Sequence, residues 1–554
     1  MMIRSFLIAL FTFTCLTGHA ADWPRFRGPA GSGVAVDSDS LPTAWSPEAN
    51  VAWKTPLPGP GASSPIIAGG SVFVTCYSGY GLNQEDPGEI ENLVRHLVCI
   101  DLKTGEQLWQ KDVKAALPED PYSGIGVTAH GYASHTPVSD GKNVYAFFGK
   151  SGVYAYDLEG NQLWNAEVGK ESDPTKWGSS SSPIVHEKTV IVTASAESQA
   201  IVGLDKATGA ELWRQETKGL DGMWGTPTLV EIDDNRTDIV MCVAKELWGL
   251  DPNSGKLRWY ADATDAQHAY ASVIFDGSRV FAFTGRGGGN IAIDAGGSGD
   301  VSASNTVWEG SISASFASPV RHEGRIYVVT RGVLSVVDAE TGERVQQLRL
   351  KGARQTGGRM GSLDYPSPVV VGNRLFNLNG SGQMFVIALD DKVKQMRVNE
   401  VTTDKEDFRG TPAVSNGRMV LRSSKYLYCV ADQGDTVVAD DNLVASADDD
   451  SEADESGPGG GRAGGRPDGG RRRFDPMSMF KGLDTDSDGQ ITEAELEGHR
   501  MADRLKTLDK DDDQAISQEE FQTGIASLFR RGGGRGRRGE DSRPDRPQRP
   551  EAAG

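Results

Sequence analysis

The chain has 554 residues, enough to bury at least one large core, and a formal charge of −20 from 77 acidic and 57 basic side chains. That balance argues against nucleic acid as a general partner and suits a chain that recruits cations. Its five cysteines are scattered and fit no zinc-ligand spacing.

Residues 1–20 read as a secretory signal peptide. Arg4 precedes an apolar run from Phe6 to Leu16, and the small residues Gly18 and Ala20 stand before a cut after Ala20. The run is too short to span a bilayer, and no other stretch reaches transmembrane length. Cys15 has no lipobox before it. An exported protein, periplasmic or secreted, is expected. An N-terminal extended segment follows over 21–49. Cys76, Cys99, Cys242 and Cys429 each sit in an apolar, strand-like run and read as buried thiols. An oxidising compartment would also allow a Cys76–Cys99 disulfide within one sheet.

From residue 50 to 440 the chain repeats itself. CIDLKTGEQLW (99–109), AYDLEGNQLW (155–164), GLDKATGAELW (203–213) and GLDPNSGKLRW (249–259) share an apolar residue, Asp, a turn with Gly, and Trp. The phrase decays at VVDAETGERV (336–345) and is vestigial at VIALDDKVKQM (386–396). A Ser/Thr-Pro step leading into an apolar run precedes each copy, with Pro at 65, 137, 183, 227, 319, 368 and 412 and Val273 in the remaining place. Runs such as NVYAFFG and RVFAFTG between the two phrases alternate like strands. Sheets of four short strands cannot bury both faces alone, so they stack radially. The fold class expected is therefore mainly β, an eight-bladed β-propeller. Its last blade stops after LYCVAD (427–432), and NVAWKTPL (50–57) supplies the missing strand and closes the ring.

The repeat phrase resembles that of quinoprotein-dehydrogenase-like propellers, the PQQ-like repeats, a grouping that includes BamB-type outer-membrane assembly lipoproteins. The opening WPRFRGP (23–29) and WKTPLPGPGASSP (53–65) look like the start of exported planctomycete-type proteins. The resemblance implies the fold over about 23–440 and leaves function open. Quinoprotein dehydrogenases hold PQQ beneath an adjacent Cys-Cys pair beside a calcium ion. This chain has no such pair, so a PQQ-dependent oxidoreductase is kept only as the alternative, and no catalytic residue is assigned.

Three residues before the strand-opening Pro or its equivalent stand Trp224, Tyr270, Phe316 and Tyr365, with Arg409 in that place in the next blade. Either they fill the gaps between blades, or they rim one mouth of the channel and bind a sugar or an extended peptide. His130 and His135, ahead of the second blade, read as polar contacts at the mouth.

Residues 441–474 form an acidic, then Gly/Arg-rich linker without apolar periodicity, expected to be disordered. A small α-helical EF-hand pair is expected over 475–530. In DTDSDGQITEAE (484–495), Asp484, Asp486 and Asp488 fill loop positions 1, 3 and 5, Gln490 offers its carbonyl at 7 and Glu495 a bidentate carboxylate at 12. DKDDDQAISQEE (509–520) repeats this with Asp509, Asp511, Asp513, Ala515 and Glu520, but Gln514 replaces the turn Gly. Ile491 and Ile516, at position 8, should pair across the two loops. Ca²⁺ is the cofactor expected. The tail 531–554 reads as disordered. The whole reads as a calcium-binding scaffold or binding protein with a protein or polysaccharide partner in the cell envelope.

Overall fold

The computed structural model describes residues 22–35, 40–124, 126–285, 288–354, 365–437, 443–446 and 547–553, and between 483 and 521 residues 483, 488, 490–492, 495–496, 505–509, 513, 515–518 and 520–521. Residues 1–20, the expected signal peptide, lie outside the described residues. The chain divides into two units, one holding residues up to 453 together with 545–554, the other 454–544.

The first unit is an eight-bladed propeller. Its eight sheets each contain four antiparallel blade strands, from Ile66–Ala68, the innermost strand of blade 1, to Tyr426–Ala431 in blade 8. The last blade is completed from the other end of the chain: Val51–Pro56 pairs antiparallel with Tyr426–Ala431, with Trp53 opposite Cys429. This is the closure expected from NVAWKTPL. The core is a circle of apolar clusters rather than one ball. Val190, Val202 and Trp164, for example, join blades 2 and 3, and Trp248, Ile201 and Met241 join blades 3 and 4.

The repeat phrase has a physical explanation between blades. Asp101 Oδ1 accepts hydrogen bonds from the N–H groups of Lys103 (2.9 Å) and Thr104 (2.7 Å) and from the Thr104 hydroxyl (2.9 Å). Asp205 and Asp338 make the same turn. The Gly that follows lies under the previous blade's Trp. A Cβ on Gly105 would stand 2.6 Å from the Trp53 ring, and one on Gly209 2.6 Å from Trp164. Each of these indoles donates to the carbonyl just after the turn Asp: Trp53 to Leu102 (3.0 Å), Trp109 to Leu158 (2.9 Å), Trp164 to Lys206 (3.0 Å) and Trp308 to Ala339 (3.0 Å). Where the phrase decays, Gln346 takes over the donor role, bonding the Asp391 carbonyl at 2.5 Å.

The Ser/Thr-Pro step closes a second circle. The hydroxyl of each Ser or Thr before the Pro accepts from the N–H of its counterpart one blade back: Thr136 from Ser64, Ser182 from Thr136, Thr226 from Ser182, Ser272 from Thr226. Ser318, Ser367 and Thr411 continue it, and Ser64 accepts from Thr411, every bond being 2.9 or 3.0 Å. The residue after the hydroxyl stands just before the innermost strand and needs no N–H for its ladder, so Pro is tolerated.

Three boundaries differ from the sequence reading. Residues 22–35, expected as an extended segment ahead of the propeller, join it: Trp23 bridges Ile67, and Val34–Ala35 pairs parallel with Val370 and Val371 of blade 7. Ala445–Ser446, placed in the linker, adds a strand to the same blade. Residues 547–553, placed in a disordered tail, lie against blade 4, where Ala552 bridges Leu257. Composition misses all three because each segment is ordered by distant residues. Cys76, Cys99, Cys242 and Cys429 are all free and buried. Cys76 faces His96 and Cys99 faces Phe73 in blade 1, so the disulfide is not formed. No helix among the described residues is long and apolar enough to cross a membrane.

In the second unit, by itself, Gln490–Thr492 pairs antiparallel with Ala515–Ser517, with Ile491 opposite Ile516. Leu483, Leu496, Leu505, Leu508 and Phe521 pack with this isoleucine pair.

Candidate functional site

The structure brings the whole set of positions three residues before the strand-opening Pro to one mouth of the channel. Trp224, Tyr270, Phe316, Tyr365 and Arg409 line a cavity of about 170 Å³ together with Ala62, Ser134 and Ser180 of blades 1 to 3. The wall is thus asymmetric. Four large rings stand on one side, and the small residues opposite leave the open volume. Trp224 stacks on Tyr270 at 5.1 Å and 13°, Tyr270 meets Phe316 at 4.8 Å, and Phe316 meets Tyr365 at 4.9 Å. Trp177 extends the row, 5.7 Å from Trp224. All five expected rim residues remain half-buried. Sequence reasoning found them but missed Ala62, Ser134 and Ser180, whose contribution is the space they do not fill.

The cavity's wall below the rim carries the Ser/Thr circle, and Phe26 enters it from the N-terminal segment. That segment crosses the channel. Pro24 O accepts from Ser139 N of blade 2, Arg25 donates to Pro227 O of blade 4 at 3.1 Å, and Arg27 donates to Pro319 O of blade 6. Both arginines are buried. Desolvation pulls Arg25 down to about 10, and desolvation with the neighbouring Arg25 charge pulls Arg27 down to about 9, so both stay cationic at neutral pH.

Arg409 is held at the rim by the Ala129 carbonyl and by Asp407 at 3.7 Å. His130 has both ring nitrogens engaged, Nδ1 with the Ser134 hydroxyl (2.6 Å) and Nε2 with the Trp177 carbonyl (2.7 Å). Burial lowers its pKa, so it serves as a neutral strut between rim residues.

Beside the mouth lies a smaller pocket of about 40 Å³, lined by Arg95, Glu119, Asp120, Lys150, His135 and Glu197 among others. Arg95 pairs with Glu119 at 2.7 Å and Lys150 with Asp120 at 3.5 Å. Glu197 accepts from the Ser179 hydroxyl at 2.6 Å, and His135 Nε2 meets the same hydroxyl at 2.9 Å. Glu197 Oε2 has no hydrogen-bond partner among the described residues. Burial pushes Glu197 up to about 7 and His135 down to about 3. A folded-state pKa above the unfolded one stabilises below the unfolded value, and that stability is lost as pH rises through about 7. Glu197→Gln mimics the protonated form. Its melting temperature should match wild type near pH 4.5 and exceed it at pH 8, by an amount worth about 1–3 kcal/mol for a buried, unpaired charge. Equal differences at both pH values would remove the assignment.

In the second unit each twelfth-position carboxylate is held the same way. Glu495 Oε2 accepts from Thr492 N (2.9 Å) and Oγ1 (3.0 Å); Glu520 Oε2 accepts from Ser517 N (2.9 Å) and Oγ (2.8 Å). Asp488 and Asp513 correspond as well, accepting from Gln490 N at 2.8 Å and Ala515 N at 2.9 Å. Asp484, Asp486, Asp511 and Gln514 lie outside the described residues.

Residues 94–348, from the third strand of blade 1 to the last of blade 6, match the family model described as outer membrane protein assembly factor BamB. No curated protein matches the chain. Among solved structures, a europium-containing methanol dehydrogenase is similar at 12% identity and TM-score 0.50, over 72% of this chain and 89% of that one. The quinohemoprotein alcohol dehydrogenase ADHIIG of Pseudomonas putida HK5 is similar at 10% identity and TM-score 0.50, over 76% and 81%. BamB of Moraxella catarrhalis gives 13% identity and TM-score 0.48, over 70% and 99%. At such identities the dehydrogenase likeness is one of fold.

Proposed function

We propose that the chain is an exported, calcium-binding β-propeller that works as a scaffold or binding protein in the cell envelope, its aromatic-walled mouth holding an extended segment of a protein or polysaccharide partner. The observation that carries this reading is the asymmetric mouth. Corresponding positions of the eight blades supply four contacting rings in a row, Arg409 at its end, and Ala or Ser in the remaining three. Rings needed only to fill blade gaps would leave no open volume in front of them. Such rings present apolar faces at little entropic cost, and Arg409 adds a cationic donor at the end of the row. The match to a family described as an assembly factor supports a protein partner. The opening apolar run supports export, and the paired acidic loops support calcium, whose charge would offset the carboxylates gathered there.

The test is Trp224→Ala together with Tyr365→Ala. Capture of partners from an envelope fraction should weaken about 30-fold, as for loss of a 2 kcal/mol anchor, while the melting temperature holds. A collapse of the melt would assign the rings to packing. A quinone absorbance shift with dye reduction on adding PQQ would replace this reading with the oxidoreductase one.

A further inference from the structure

The outer edge of blade 4 carries a built receptor for an arginine side chain. Glu246 opens the third strand of that blade, three residues before Gly249, which faces Trp259. The same place in the flanking blades is held by Ala200 and Gly289, and no other blade has a carboxylate there. The Glu246 side chain is only 1% exposed. Its Oε2 takes the Trp248 indole N–H at 2.9 Å, which leaves a carboxylate in need of a cation. Among the described residues Arg549 is the one cation in ion-pair range, and it grips both oxygens, Nε to Oε2 at 2.9 Å and the terminal NH2 to Oε1 at 2.6 Å. The guanidinium also lies 3.3 Å from the centre of the Tyr260 ring, so one face stacks while the edge forms a bidentate pair.

The backbone around Arg549 is held just as specifically. Gln548 O accepts from Gly219 N at 3.1 Å and from the Thr217 hydroxyl, both in the connection leaving blade 3. Glu551 O accepts from Leu257 N at 2.8 Å, and Ala553 N donates to Leu257 O at 2.8 Å. Gly219 must be small, since a Cβ there would stand 2.5 Å from Gln548 O. Pro547 and Pro550 keep the segment extended. Strand Leu257–Asp262 would otherwise expose unpaired groups at Leu257, beyond the stretch covered by Gly299–Asp300.

We infer that the groove between blades 3 and 4 is a binding site for an extended, arginine-bearing peptide segment, and that residues 547–553 of this chain are its resident ligand. The mode is strand addition with one side-chain anchor. It shares no residue with the channel mouth and stands whether or not the mouth binds anything.

The experiment uses the full chain. In Arg549→Ala the segment loses its anchor, so a labelled heptapeptide of residues 547–553 should bind at least tenfold more tightly than to wild type, whose groove is filled. Adding Glu246→Gln should cancel that gain, and a heptapeptide with alanine for its arginine should not bind. Equal affinity for wild type and Arg549→Ala, or binding to neither, would overturn the proposal. Hydrogen exchange gives a readout free of added peptide: the amides of Gly219 and Leu257 should exchange at least tenfold faster in Arg549→Ala, and unchanged protection there would also overturn it.

Discussion

Replacing Trp53 by alanine should cost about 3–5 kcal/mol, the usual range for removing a buried indole, and should loosen the propeller at one seam in particular. Trp53 is 8% exposed, donates to Leu102 O at 3.0 Å and lies on Gly105. The neighbouring Thr55 hydroxyl bonds Gly105 O at 2.6 Å. These contacts join blade 8 to blade 1, and their strand is also the one that completes blade 8. Trp164 is its equivalent between blades 2 and 3, with the same bond to Lys206 O and the same glycine beneath. The packing lost in Trp164→Ala is similar, but those blades follow one another directly in the chain. At the closure, nothing local returns a strand that has left. Urea unfolding should therefore give comparable losses for the two variants. Hydrogen exchange should separate them, with the amides of Tyr426–Ala431 losing protection in Trp53→Ala and keeping it in Trp164→Ala. Equal protection in that strand would mean the seam is no weaker than any other joint.

The two variants also show what a sequence can and cannot reveal here. The phrase with Asp, Gly and Trp was legible because one interaction, an indole lying on the next blade's glycine, recurs at a fixed spacing. The Ser/Thr-Pro step was legible as a period, while its cause was not: a hydroxyl that accepts from a residue some 45 positions earlier leaves no local trace. The aromatic rim was legible because large rings stand out at equivalent places. Ala62, Ser134 and Ser180 were not, since a gap is made by residues that look unremarkable one at a time. Residues 547–553 were hidden for a different reason. Their Arg/Pro composition has no periodicity, and what orders them is Glu246, 303 positions away. Composition reports what a segment can bury by itself, not what a distant carboxylate will hold.

Calcium should bind the second unit in two unequal steps, and Glu495→Gln should weaken the tighter one at least tenfold. The donor set proposed for the loops lies in 484–495 and 509–520. In both, the N–H and hydroxyl of position 9 donate to the carboxylate at 12, so both glutamates are held in the same way. They differ at position 6, where Gly489 is matched by Gln514. A left-handed backbone costs a non-Gly residue about 1–2 kcal/mol, which predicts a second step weaker by about tenfold and Gln514→Gly restoring it. The pairing of Ile491 with Ile516 ties the loops together, so ordering either one lowers the entropy cost of ordering the other. Affinities near 10⁻⁴–10⁻³ M are usual for extracellular modules. At a hundredfold excess over such a constant the unit gains about 2.7 kcal/mol, visible as a rise in its melting temperature that a chelator reverses. A calorimetric titration without heat, together with an unchanged melt in Glu495→Gln, would show that these carboxylates repel one another without a metal between them.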